Sequence, residues 1–205
     1  MIDTEGTAPA GDPGHVPFRL LIVGPPGAGK GTQAARLAEA LRIPAISTGD
    51  IFRANVGAKT ELGVLAQSYM DRGEYVPDSV TNDMVRSRLA EADAQGGFLL
   101  DGYPRTLDQV HALDDMLSAT GDALDAVLML DVDFDAVIGR LVERGRELGR
   151  SDDTEETIRR RIEVYAEQTA PLVALFEERG LLRRVDGMAS IDEVTAALLA
   201  ALEQR

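Results

Sequence analysis

Apolar residues recur along this chain in two rhythms. Short, nearly continuous apolar runs bounded by Gly or Pro occur at Phe18 to Gly24, Ala45 to Thr48, Phe98 to Asp101, Ala126 to Val132 and Leu181 to Val185. Runs of this length and density read as strands. Polar residues do not alternate strictly within them, so both faces of each strand are expected to be covered, as in a parallel sheet. Between them, apolar residues return every three or four positions. This spacing predicts helices at about Gly29 to Leu41, Leu62 to Arg72, Ser79 to Ala94, Leu107 to Ala119, Phe134 to Arg146, Thr154 to Arg179 and Ile191 to Glu203. Three of them carry capping-box spacing at or near the start: Thr106 with Gln109, Asp153 with Glu156, and Ser190 with Glu193. Strands alternating with helices predict an α/β/α sandwich around a five-stranded parallel sheet.

Two stretches depart from this rhythm. Residues Gly49 to Val76 are polar and helical, with too little apolar content for another strand–helix unit, and are expected to form a small lobe outside the sheet. Residues Met1 to Pro17 are rich in Gly, Pro, Ala and acidic side chains and have no periodic pattern, so they are expected to be a disordered leader.

Composition narrows the chemistry. A chain of 205 residues is long enough for one domain with small appended lobes. With no cysteine, it excludes disulfides, thiolate zinc sites, iron–sulfur clusters and a cysteine nucleophile. Only two histidines, His15 and His111, are present, too few for a histidine metal site. The formal net charge of −14 would repel nucleic acid, so no nucleic-acid partner is expected. No apolar stretch approaches a membrane span and no signal-peptide pattern opens the chain, which predicts a soluble, cytoplasmic protein. An anionic substrate must therefore meet a local basic pocket, and of the 21 basic residues only Lys30 and Lys59 are lysines.

Lys30 stands in Gly24-Pro25-Pro26-Gly27-Ala28-Gly29-Lys30-Gly31-Thr32, directly after the first strand and before an amphipathic helix. This is the strand, glycine loop, helix context of a P-loop. Glycines let successive N–H groups turn toward phosphate oxygens, the helix N-terminus adds partial positive charge, and the lysine adds an ammonium. Thr32 is positioned to orient a magnesium-bound water. The general pattern has Ser or Thr directly after the lysine, whereas this chain has Gly31 there and Thr32 one place later. A plain glycine-rich turn capping a helix would not call for lysine at that point.

Three further segments are specific: Ser47-Thr48-Gly49-Asp50-Ile51-Phe52-Arg53, Leu100-Asp101-Gly102-Tyr103-Pro104-Arg105-Thr106-Leu107-Asp108-Gln109, and Arg150 to Arg161. With the glycine loop, and over essentially all of the chain from Phe18 onward, they resemble the adenylate kinases of the nucleoside monophosphate kinase family. The resemblance implies one P-loop kinase domain over 18–205, with an inserted AMP-binding lobe at about 47–76 and a short lid at about 144–150. It implies the substrates ATP, AMP and ADP, Mg2+ bound with ATP, no zinc in so short a lid, and a monomer.

Residue by residue, the resemblance implies that Gly27, Ala28, Gly29, Lys30, Gly31, Thr32, Arg140, Arg144 and Ala189 serve ATP. It implies that Thr48 and Gln109 contact the adenine of AMP and that Arg53 and Arg105 hold its phosphate. Met70, Glu74, Tyr75 and Val76 complete that pocket with Gly102, Tyr103 and Pro104. Lys30, Arg105, Arg140, Arg144, Arg150 and Arg161 are the implied catalytic cations, Arg150 and Arg161 also touching AMP. Asp101 resembles the acid that positions magnesium waters, and Asp152 and Asp153 orient the arginines. From the residues alone, Thr48 could equally be a helix cap and Gln109 the fourth residue of a capping box, whereas Arg159 and Arg160, unlike Arg161, are read as a solvated stripe. The competing functions are a UMP/CMP kinase and a P-loop nucleotide switch with no acceptor substrate.

Overall fold

A parallel strand covered on both sides needs apolar residues at nearly every position, and β1 (Arg19–Val23) meets that need. Leu20 and Ile22 belong to one core, Leu21 and Val23 to another, and all four are buried. The computed structural model describes residues 18–133, 137–139, 141 and 154–203. Among these, β1, β2 (Ala45–Ser47), β3 (Phe98–Asp101), β4 (Ala126–Asp131) and β5 (Leu182–Asp186) form one sheet in the order β2-β3-β1-β4-β5. Every pairing is parallel; at the centre Leu21 lies beside Leu100 of β3 and Val127 of β4.

The helices are α1 (Lys30–Leu41), α2 (Thr48–Gly57), α3 (Glu61–Met70), α4 (Asp78–Leu89), α5 (Leu107–Ser118), α6 (Glu155–Val164), α7 (Leu172–Glu178) and α8 (Ile191–Glu203). Residues 137–139 and 141 are also helical. Helices α1 and α8 cover one face of the sheet through Ala34, Leu37, Val194, Leu198 and Leu202. Helices α4, α5 and α7 cover the other through Val85, Val110, Leu113, Leu117, Leu172 and Phe176. The expected three-layer α/β/α sandwich is thus observed. A fully buried leucine such as Leu113 or Leu198 contributes roughly 1.5–3 kcal/mol by leaving water. Buried Gln33 links α1 to α8: its Nε2 donates to the Ile191 carbonyl at 3.0 Å and its Oε1 accepts from Thr195 Oγ1 at 2.7 Å.

Two predicted helices are shorter than their spacing suggested. The chain expected to be helical to Ala94 leaves α4 at Leu89, where Gln95 Nε2 donates to the Leu89 carbonyl at 3.0 Å and Arg88 grips Asp93 with both arms. A single turn of 3-10 helix, Ala92–Ala94, follows. The helix expected over Thr154 to Arg179 divides into α6, a π-helical turn at Tyr165–Thr169, and α7. Pro171 explains the break. It has no N–H to give and its ring crowds the carbonyl four residues back, so the preceding turn widens and Ala170 N–H donates to the Tyr165 carbonyl at 2.8 Å. The caps also differ in detail. Ser190 and Glu193 form the reciprocal box, with Ser190 N–H 3.0 Å from the Glu193 carboxylate and Glu193 N–H 3.4 Å from Ser190 Oγ. Helix α6 is capped by Thr154, which accepts from Thr157 N–H; Asp153 lies outside the described residues.

Helices α2 and α3 pack on each other, and Phe52, Ala66 and Val76 form a small core separate from the two that flank the sheet. The two can approach closely because Gly63 has no side chain. A Cβ there would fall 2.1 Å from the Asn55 carbonyl oxygen and 2.6 Å from the Val56 nitrogen, both rigid backbone. Gly63→Ala should therefore prise α2 from α3 at a cost of about 1–3 kcal/mol. Hydrogen exchange should quicken across 48–70 with the sheet strands unchanged; equal protection of both regions would refute this account of the packing.

Candidate active site

The first three strands end on the same side of the sheet, so the loops that follow them meet there. After β1 the glycine loop turns into α1 with Gly27 and Gly29 at positive φ, and Gly29 is the N-cap. Lys30 Nζ folds back to donate to the Gly24 and Pro25 carbonyls at 2.8 and 2.9 Å. Gly27, Gly29, Lys30, Gly31 and Thr32 line a cleft of about 470 Å3, while Ala28 is buried beneath it in the core. Asp101, at the end of β3, faces the same cleft, its Oδ2 3.7 Å from where a Cβ on Gly31 would stand.

A second cleft adjoins the first. Thr48, Phe52, Met70, Glu74, Tyr75, Val76, Thr81 and Gln109 line it. Gly49, Arg53, Gly102, Arg105 and Arg161 line both clefts and so form the wall between them. Tyr103 and Pro104, joined by a cis peptide bond, line an adjacent space with Lys30, Tyr75 and Arg161.

Two of the three shared cations are held by partners close to them in the chain. Arg53 reaches back one turn of α2 to Asp50, Nη2 to Oδ1 at 2.6 Å. Arg105 donates from Nε to the Gly102 carbonyl at 2.7 Å, and its guanidinium lies 4.8 Å over the Tyr75 ring. The Tyr75 hydroxyl is 2.9 Å from Thr169 Oγ1, which donates to the Arg105 carbonyl at 2.9 Å. Thr169 thus ties the widened turn after α6, the helix carrying Arg161, to the loop carrying Arg105. The Gly102 backbone, at φ 79°, leaves no room for a side chain: a Cβ would meet Arg105 Nη2 at 2.8 Å and Thr48 Oγ1 at 2.9 Å.

The helix-capping readings of Thr48 and Gln109 are corrected by one residue each. Ser47, not Thr48, caps α2, accepting from Asp50 N–H; Thr48 is buried and donates to the Gly102 carbonyl at 2.9 Å. Thr106 does cap α5, but Gln109 does not reach back to it. Its Oε1 instead accepts from Arg105 N–H at 2.7 Å, and its Nε2 donates to Asp78 at 2.5 Å.

Arg159 and Arg160 pair with Glu155 and Glu163 on the exposed side of α6, as a solvated stripe would. Ala189 is exposed ahead of α8 and lines neither cleft. Arg140, Arg144, Arg150, Asp152 and the lid expected at about 144–150 lie outside the described residues. Sequence reasoning had not singled out Phe52, Thr81, Asp78 or Thr169. Phe52 carried a faint signal, standing within the Ser47 to Arg53 segment; Asp78 and Thr169 carried none, because their partners are 28 or more positions away, and Thr81, whose hydroxyl bonds the nearby Val76 and Pro77 carbonyls, stands in no motif.

Among the described residues, no group of three or more His, Asp or Glu side chains converges as a metal site would, and no helix is long and apolar enough to cross a membrane. The Thr32 hydroxyl and Asp101 carboxylate are nonetheless hard oxygen donors facing one cleft, a set that suits a magnesium ion retaining its waters.

Comparison with known proteins gives a consistent result. Residues 22–181 match the family model described as adenylate kinase. The chain is 61% identical over 186 residues to the adenylate kinase of Kocuria rhizophila, covering 91% of this chain and 99% of that protein. It is likewise 61% identical to those of a Nocardioides species, covering 91% and 97%, and of Thermobifida fusca, covering 92% and 100%.

Burial pushes the Tyr165 phenol up to about 12, with further help from nearby Tyr75 and Asp131, and raises the Tyr103 phenol as well. Both are neutral in the folded protein until well above the ordinary phenol range. Their contribution to stability is complete below about pH 10, the unfolded value, and is lost as pH rises through the folded values. Thermal melts from pH 8 to 11.5 should show stability falling above about pH 10, and Tyr165→Phe should fall less steeply; identical slopes would refute the assignment.

Proposed function

The chain belongs to the adenylate kinase family and catalyses reversible phosphoryl transfer between ATP and AMP, and from that premise we propose a division of labour between its two clefts. The glycine-loop cleft takes the ATP phosphates; the cleft lined by Thr48, Met70, Val76 and Gln109 takes AMP. One observation carries this reading: Arg53, Arg105 and Arg161 line both clefts, so cations stand where two phosphate chains would meet end to end.

In phosphoryl transfer the charge spreads over the moving group, and catalysis is largely positioning and electrostatic stabilisation. Lys30, already turned inward over the loop carbonyls, exchanges those oxygens for phosphate oxygens. Loop N–H groups and the α1 N-terminus hold the donor phosphates. Arg53 and Arg105 present planar forks to the acceptor phosphate, and Arg161 stands between donor and acceptor. The resemblance assigns Arg140, Arg144 and Arg150 to the transferred group too, and a short lid at about 144–150 to excluding water. Mg2+ bound with ATP offsets phosphate charge, and Thr32 and Asp101 are the residues that would hold its waters. The chain needs no histidine or cysteine nucleophile for this chemistry. The resemblance further supports a monomeric, cytoplasmic enzyme whose inserted lobe, about 47–76, is the AMP-binding unit.

Lys30→Met and Arg105→Ala should each lower kcat/KM at least about a hundredfold, as loss of a transition-state partner does. Circular dichroism should remain that of the wild type; a near wild-type rate in either variant would remove the assignment. Across a panel of AMP, UMP and CMP with ATP, AMP should be turned over fastest. A faster rate with either pyrimidine would place the acceptor preference with the UMP/CMP kinases.

A further inference from the structure

A primary amide has two ends of similar shape and opposite chemistry: the oxygen accepts and the nitrogen donates. Gln109 is 1% exposed and lines the second cleft, so which end faces a bound base matters. Two neighbours decide its orientation. The Arg105 main-chain N–H, able only to donate, is 2.7 Å from Oε1. The Asp78 carboxylate, which accepts, is 2.5 Å from Nε2. Turning the amide over would set N–H against N–H and oxygen against oxygen.

Asp78 is itself anchored. It is the first residue of α4, and its other oxygen accepts from Thr106 Oγ1 at 2.7 Å. The carboxylate therefore spans the starts of α4 and α5 and holds two partners of α5 at once. With one Nε2 hydrogen given to Asp78, the amide keeps a second, and Oε1 is turned to the Arg105 main chain.

We propose that Asp78 is a specificity-determining residue: it fixes Gln109 so that a base in the second cleft meets an N–H donor. Such a site selects a ring nitrogen that accepts, as N1 of adenine does, and rejects one that carries hydrogen, as N1 of hypoxanthine or guanine does. The inference rests on the reading of this cleft as the AMP site. Asp78 touches no substrate in this scheme; it is a positioning residue. A mere staple between α4 and α5 would affect every monophosphate alike, whereas an orienting role changes the choice among bases.

The test is kcat/KM with ATP and each of AMP, IMP and purine riboside monophosphate, whose ring nitrogen accepts but which lacks the exocyclic amine. In Asp78→Ala the AMP-to-IMP ratio should fall about tenfold, the scale of one oriented hydrogen bond, and the purine-riboside-to-IMP ratio should fall with it. The loss should sit mainly in KM for AMP. Asp78→Asn, whose Oδ1 still accepts from Nε2, should keep most of both ratios. Gln109→Leu, which has no donor, should lose both. Asp78→Leu, near in volume and without an acceptor, carries the same expectation as the alanine variant should that one fail to fold. If a folded Asp78→Ala or Asp78→Leu keeps both ratios while Gln109→Leu loses them, the orienting role is overturned and the AMP reading stands. If Gln109→Leu keeps them as well, the reading of the cleft itself fails.

Discussion

Like charges gathered in one place repel, and the site at the strand ends gathers at least four: Lys30, Arg53, Arg105 and Arg161. The surrounding structure exists to hold them there. Much of the holding is done by dipoles and a ring face: the Gly24 and Pro25 carbonyls for Lys30, the Gly102 carbonyl and the Tyr75 ring for Arg105. A carbonyl orients a cation without cancelling its charge, so the attraction for phosphate survives the restraint. The chain as a whole, at a net −14, repels anions outside this site.

Parallel pairing is what makes the gathering possible. Because β1, β2 and β3 run the same way, Gly24, Thr48 and Gly102 leave the sheet at one side, although they are far apart in the chain. Ligands of open α/β sheets bind beyond the carboxyl ends of strands for this reason. Side-chain ties then lock neighbouring loops together: Thr48 to Gly102, Thr169 to Arg105, Asp78 to Gln109 and Thr106. The loops behave as one wall.

How far the sequence reveals the structure follows the range of the interaction concerned. The strand runs were legible because a two-faced burden leaves a dense apolar signature, as in Leu20 to Val23. The glycine loop was legible because phosphate binding there is local backbone geometry. The arginines were legible through family resemblance, and the structure brings Arg53, Arg105 and Arg161 to one wall; Arg140, Arg144 and Arg150 lie outside the described residues. At Thr48 and Gln109 the residues alone leave capping and tertiary roles open, because a capping residue and a tertiary donor have the same local sequence; the structure removes the capping alternative. Asp78 and Thr169 were invisible, since nothing near them in sequence announces partners 28 to 94 positions away.

The widened turn at Tyr165–Thr169 sets a phase. Before it, Ile158 packs toward Val137 and Leu141 and Arg161 faces the clefts; after it, Leu172 and Phe176 face the sheet. Each residue in an α-helix turns the chain by about 100°, so the extra residue in that turn is an angular offset between two sets of obligations. Deleting one residue there would let an ordinary helix run up to Pro171 and would swing the guanidinium of Arg161 a quarter-turn or more out of alignment. Length in this short stretch is therefore more tightly constrained than residue identity, and natural variation should tolerate exchanges within it far more readily than gaps.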